Sequence, residues 1–244
     1  MAELQFLYPD WPAPARVHAV MTTRNGGVSR TPYANFNLAS HVGDDEAAVA
    51  ENRRRLRSGL QLPSEPAWLE QVHGIGVATV PGPRSGSADA VVSFERGGVC
   101  AVLVADCLPV FLASCDGDRV GLAHAGWRGL VAGVIEAAVA ALDCDPRKLL
   151  AWLGPAIGPA AFEVGDEVRK AFLERDPAAA AEFRPGRDGR WYADLPALAR
   201  RRLTACGVRA VSGGELCTYT ERERFFSYRR DGVTGRMAAL AWLA

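Results

Sequence analysis

The sequence predicts a mixed fold, α/β of the α+β kind: a single-domain mixed-sheet sandwich flanked by helices. Three observations carry this expectation. Runs rich in Val, Leu and Ala recur along the 244 residues, several almost continuously apolar, as strands buried on both faces are. Amphipathic segments lie between them without the strict succession of βαβ units. With 49% hydrophobic and 23% charged residues, the chain has the composition and length to bury a sizeable core.

The elements follow in order. A strand is expected at 16–22 and a helix at 45–60 (DEAAVAENRRRLRSGL), then strands at 76–80 and 88–93 around the Pro/Gly-rich loop 81–88. Apolar runs at 99–104, 109–114 and 119–124 read as three further strands. The segment VGLAHAGWRGLVAGVIEAAVAAL reads as strand, glycine-containing turn and helix, the helix covering 128–142. A strand at 149–153 and a helix at 165–174 precede a second loop, RPGRDGR at 184–190. The helix at 194–206 has Asp194 as N-cap, Pro196 in its first turn and Gly207 at its end. Strands at 208–212 and 235–243 complete the series. Neither loop is long enough for a linker, so residues 1–244 are expected to form one domain.

Composition excludes some partners. Lys plus Arg and Asp plus Glu both number 28, so no basic excess exists to neutralise a nucleic-acid backbone. Lys148 and Lys170 are the only lysines; arginine, which makes up the remaining cations, suits bidentate recognition of phosphate. Residues 1–24 lack the basic start and apolar run of a secretory signal, and no apolar stretch reaches membrane-spanning length. A cytoplasmic location with reduced thiols is therefore expected, with no membrane partner. Cys100, Cys115, Cys144, Cys206 and Cys217 read as small core hydrophobes. The HxE…PCxxC deaminase signature, GxGxxG and GxxxxGK[ST] are all absent.

The chemistry concentrates in three short segments, LEQVHG, VADCLP and AHAGWRG, which present His73, Cys107 and His124. Two imidazoles and a thiolate would leave one position of a tetrahedral metal open, as a catalytic site requires. Spacing alone leaves two other readings standing: Cys107 as a nucleophile with His124 as base and His73 assisting, or a buried thiol beside two hydrogen-bonded core histidines. The same donors match a blue-copper set, but four histidines in all cannot furnish a four-copper oxidase. Arg24 before the Gly26-Gly27 turn, Arg53 on the first helix, Arg128 at a helix start, and Arg229 with Arg230 are candidate phosphate contacts.

The motifs TTRNGGVS, NFNLASHVGD, ENRRRL, WLEQVHG, ADCLPVFLA, VGLAHAGWRGL, WLGPAIGP, FEVG and FFSYRRDGVTGRMAALAWL occur in order from about residue 20 onward. Together they resemble the bacterial laccase-domain, or polyphenol-oxidase, family of purine nucleoside phosphorylases. The resemblance implies zinc on His73, Cys107 and His124, with copper as the alternative ion. It implies phosphorolysis of adenosine, inosine and methylthioadenosine, with accompanying adenosine deamination and with nucleoside and phosphate as the small-molecule partners. A copper-linked activity on phenols, peptidoglycan-precursor editing and a fold resembling Cys–His toxin deamidases belong to the same resemblance. Within that reading Arg24, Asn37, Arg53, Gln71, Arg128 and Arg229 would contact substrate. Cys107, His124 and Asp106 would be catalytic, Asp106 as proton carrier, partner of a ligand or holder of a turn. The oligomeric state is left open.

Overall fold

Strand order explains how such an apolar chain hides its surface. The computed structural model describes residues 3–82 and 86–244. Its strands are β1 (Phe6–Leu7), β2 (Val17–Thr22), β3 (Val77–Val80), β4 (Ala90–Ser93), β5 (Val99–Val104), β6 (Leu108–Ser114) and β7 (Val120–Ala125). They continue with β8 (Leu149–Leu153), β9 (Glu163–Val164), β10 (Phe183–Pro185), β11 (Trp191–Ala193), β12 (Ala210–Gly213) and β13 (Met237–Leu243). The helices are α1 (Glu46–Gly59), α2 (Trp127–Ala132), α3 (Val134–Ala141), α4 (Asp166–Arg175), α5 (Leu195–Ala205) and α6 (Tyr228–Asp231).

Two sheets stack face to face. One has the order β1-β2-β13-β5, the other β12-β8-β6-β7-β4-β3, and a small sheet β10-β11-β9 stands beside them. Alternation along each strand sends side chains into two layers. Cys100, Val102 and Val104 of β5, with Met237 and Ala239 of β13, meet Val91, Phe111, Leu122 and Trp152 of the larger sheet. The opposite side chains of the larger sheet, such as Val110, Leu112 and Ala123, pack under Leu130, Ile135, Leu198 and Leu203 of the helices. On the far side of the smaller sheet, Val20, Ala101 and Leu240 are covered by Phe36, Leu38 and Leu56. The result is a helix–sheet–sheet–helix stack, and every residue of β5, β6, β7 and β13 is buried. That double burial is what the continuous apolar runs anticipate.

All nine expected strands form, with ends shifted by at most two residues. The expected helix 128–142 is two helices, because Gly133 adopts φ 110° and divides α2 from α3. Asp194 caps α5 as expected, its carboxylate accepting from the Ala197 N–H. The loop at 184–190 begins inside β10, whose Arg184 and Pro185 pair with Tyr192 and Trp191. Of the loop at 81–88, residues 83–85 lie outside the described residues. The strands β1 and β9 to β11 are only two or three residues long, too short to show a period, and were not anticipated. Cys100 is buried in the core, but Cys115, in the turn after β6, is exposed, so its reading as a core residue is corrected. Among the described residues no helix is long and apolar enough to cross a membrane.

Candidate metal centre

Three chain segments converge at one end of the larger sheet. His73 lies in the loop before β3, Cys107 closes the β5–β6 turn, and His124 is the next-to-last residue of β7. Antiparallel pairing sets Pro109 opposite His124, which brings the thiol-bearing turn beside that imidazole. The donor atoms of the three residues lie within 4.8 Å of one another, and among the described residues they form the one such group of three or more. Cys107 Sγ is 3.7 Å from His73 Nε2. Two ligands at zinc–sulfur and zinc–nitrogen distances around a tetrahedral angle should be about 3.6 Å apart, so the donor set fits a metal ion. Gly126 permits this closeness. A Cβ there would lie 2.8 Å from His73 Cδ2 and 2.9 Å from Cys107 Sγ.

Asp89 holds two of the three ligands in place. It is fully buried. One carboxylate oxygen accepts from the His73 backbone N–H at 2.9 Å, the other from Val72 at 3.1 Å and Gly74 at 2.7 Å. The His124 ring places Nδ1 2.8 Å from the same carboxylate. This pairing favours the tautomer that leaves Nε2 free toward the cluster, the arrangement of carboxylate–histidine–metal triads. The clamp on the 72–74 backbone also sustains the left-handed conformation of His73, φ 60°.

Asp106 does the corresponding work for Cys107. Its φ is 90°, and its carboxylate accepts from Thr218 Oγ1 at 2.6 Å, Ser227 Oγ at 3.0 Å and the Arg229 N–H at 2.7 Å. These bonds engage both carboxylate oxygens of Asp106 and tie the thiol-bearing turn to the chain before and within α6.

Electrostatics separates the charges within the cluster. Burial opposes ionisation of Cys107, but the adjoining His124 and His73 rings outweigh it and bring its pKa down to about 6. Burial likewise opposes charge on His124, yet Cys107 and Asp89 raise its pKa to about 9. Between those limits the metal-free pair is a thiolate beside an imidazolium. Iodoacetamide labelling of Cys107 in metal-stripped protein should therefore rise with pH around a midpoint near 6, below the usual cysteine value of about 8.5. A mass-resolved labelling profile with its midpoint at 8 or above, on the order of the free thiol, would refute the ion pair. Metal uptake must displace the His124 proton, so affinity should climb with pH up to about 9.

The cluster opens into a cleft of about 470 Å³ lined by His41, Gln71, Leu103, Ala105, Arg128, Tyr228 and Arg236 besides the three donors. Of the residues expected to contact substrate, Gln71 and Arg128 line this cleft. The Gln71 amide is engaged with the backbone of Leu103, donating to its carbonyl at 2.9 Å and accepting its N–H at 2.7 Å. That clamp secures the loop carrying His73. Arg128 is exposed and packs over Trp127 at 4.4 Å.

The other candidates do not line this cleft. Arg24 donates to the Ala34 and Arg222 carbonyls and lines a separate surface pocket. Asn37 is fully buried; it donates to the Ala39 carbonyl and Asp44 and accepts from the Ala39 and Arg236 N–H groups. Arg53 donates to the Leu38 carbonyl and stacks on Trp68 at 4.2 Å. Arg229 donates to the Glu163 carbonyl, and Arg230 to three carbonyls and Asp231. Sequence reasoning missed Asp89, His41, Tyr228 and Arg236. A signal exists for Asp89, an acid opening the apolar run ADAVVSF; Arg236 falls inside the segment 235–243 that reads as a strand, and nothing local distinguishes Tyr228.

A sequence model of the family described as multi-copper polyphenol oxidoreductase laccase matches residues 18–244. The chain is 53% identical over 239 residues, 98% of each chain, to a purine nucleoside phosphorylase of Pseudomonas aeruginosa. It is 52% identical over 241 residues to purine nucleoside phosphorylase YfiH of Escherichia coli, covering 98% of this chain and 99% of the relative. Among solved structures, a Neisseria meningitidis protein is similar with a TM-score of 0.93 at 48% identity over 98% of both chains. YlmD from Geobacillus stearothermophilus is similar with a TM-score of 0.91 at 34% identity, over 98% of this chain and 96% of that one.

Proposed function

The chain belongs to the multi-copper polyphenol oxidoreductase laccase family, and from that premise we propose that it is a zinc-dependent purine nucleoside phosphorylase. Residues 1–244 act as one domain in this reading. The observation that carries it is the open His73–Cys107–His124 cluster in a cleft walled by His41, Arg128, Arg236 and Tyr228. The names of the relatives, purine nucleoside phosphorylases, support a nucleoside-processing enzyme.

In phosphorolysis the N9–C1′ bond breaks, a phosphate oxygen bonds to C1′, and the base leaves with the bonding electron pair and takes up a proton. His73, Cys107 and His124 would hold the zinc, and a bound zinc would supply Lewis acidity toward a reactant oxygen. The cations along the wall stabilise the anionic reactant, a task for preorganised charge. Tyr228, 60% exposed, offers an aromatic face on which a purine can stack. Adenosine, inosine and methylthioadenosine are the proposed substrates, and adenosine deamination is proposed at the same centre. Copper is the alternative ion, since two imidazoles and a thiolate suit it as well.

Product analysis with adenosine and inorganic phosphate tests the proposal. Phosphate-dependent release of adenine and ribose 1-phosphate, lost on chelation and restored by zinc, is the expected result; inosine formation reports the deamination. Absence of both products from metal-replete protein would refute the proposal. A chelator-insensitive but iodoacetamide-sensitive hydrolysis would instead identify a Cys107-nucleophile enzyme, and phenol oxidation restored by copper alone a redox enzyme.

A further inference from the structure

We propose that the cleft wall formed by His41 and Arg236, backed by Arg53, is the seat of inorganic phosphate. The inference deepens the phosphorylase reading and rests on it for the identity of the anion. Arg236 lies just before β13, partly buried, and its Nη1 donates to the Thr234 and Gly235 carbonyls at 2.8 and 3.0 Å. Among the described residues no carboxylate stands within 4.0 Å of its guanidinium, whereas Arg230, with a side chain only 8% exposed, is matched by Asp231 at 2.7 Å. Cys107 and Asp106 act on the partly buried guanidinium from beyond contact distance, and an anion seated directly against it would offset its desolvation.

The neighbouring groups point the same way. Arg53 is partly buried, held by the Leu38 carbonyl at 3.0 Å and the Trp68 ring at 4.2 Å, and again no described carboxylate lies within ion-pair distance. His41 lines the cleft beside Arg236. Its pKa is lowered by burial and then by Arg236 and Arg53, which places all three in one electrostatic field. Asn37 fixes the backbone from which Arg236 projects, accepting the Arg236 N–H at 2.9 Å. Tyr228 stands on the outer side, its ring centre 5.7 Å from the Arg236 guanidinium carbon. The planar fork of Arg236 suits a tetrahedral oxyanion.

Calorimetric titration of metal-replete protein with inorganic phosphate, without nucleoside, tests the site independently of turnover. Arg236→Gln should weaken phosphate binding about 10- to 100-fold, with His41→Gln weaker by a smaller factor. Adenosine binding without phosphate should stay within about 3-fold of wild type, and metal content should be unchanged. Arg236→Lys keeps the charge and a donor to the two carbonyls; it should bind phosphate between wild type and Arg236→Gln, and with His41→Gln it decides the question if Arg236→Gln does not fold. Phosphate binding unchanged in Arg236→Gln and His41→Gln, or nucleoside affinity falling in parallel, would overturn the assignment. If the wild type binds phosphate through these residues but never cleaves nucleosides, the phosphorylase reading falls and the anion site stands. If Arg236→Gln and His41→Gln carry out phosphorolysis with an unchanged phosphate KM, the anion site falls and the phosphorylase reading stands.

Discussion

Replacing Gly126 by alanine is expected to strip the centre of its metal and lower turnover by about 100-fold or more, the penalty of a displacement near 1 Å in a catalytic constellation. The backbone is not the obstacle. Gly126 has φ −65° and ψ 158°, a conformation any residue adopts. The obstacle is the added methyl, which would sit 2.8 Å from His73 Cδ2 and 2.9 Å from Cys107 Sγ. Both contacts are too short, so the ring and the thiol must separate, and the tetrahedral spacing is lost. Gly126 is also the N-cap of α2 without a capping side chain, so the helix end should lose less than about 1 kcal/mol, and the displaced ring and thiol about 1–3 kcal/mol more. Metal content, kcat and thermal unfolding measured on one preparation check this. A fully metal-loaded Gly126→Ala protein with wild-type turnover would contradict the proposed centre.

Asp89→Asn should weaken metal binding by about 10- to 100-fold and destabilise the fold by about 3–5 kcal/mol. The substitution keeps size and shape but removes the charge. An amide has one acceptor oxygen and an NH₂ that donates, while the buried site presents the N–H groups of Val72, His73 and Gly74 together with His124 Nδ1. At least one donor then meets another donor. The pH dependence has a definite sign. Burial opposes ionisation of Asp89, but His124 and the Gly74 and Val72 amides lower its pKa below the ordinary value. Stability from this carboxylate is therefore fully present above the unfolded-state aspartate pKa and is lost as pH falls through the lower, folded value. Urea denaturation across that acid range should show a shallower loss for Asp89→Asn. Equal stability and equal metal affinity in the two proteins would remove Asp89 from its positioning role.

How much was legible beforehand depends on the length scale of each signal. The long strands β5, β6, β7 and β13 were readable because burial on both faces leaves unbroken apolar runs. The cap at Asp194 was readable because capping is local chemistry. The break at Gly133 is a backbone choice that hydrophobic pattern does not encode. His73, Cys107 and His124 stood out by residue type and by their glycine- or proline-flanked settings, but no spacing ties residues so far apart to one ion. Arg24 and Arg229 carried the same local marks yet spend their donors on backbone carbonyls.

By itself, the sequence determined the alternation of apolar runs and helices, the charge balance, and the short supply of metal-binding side chains. These are properties of composition and near neighbours. Tertiary structure alone decided that three distant donors share one centre, that Asp89 binds the His73 loop to the His124 ring, and that Arg236 reaches the cleft while Arg24 does not. The physical reason is that hydrogen-bond acceptors and counter-charges act over a few ångströms in space. Which groups come within that range is set by strand register and turn geometry, not by their separation along the chain.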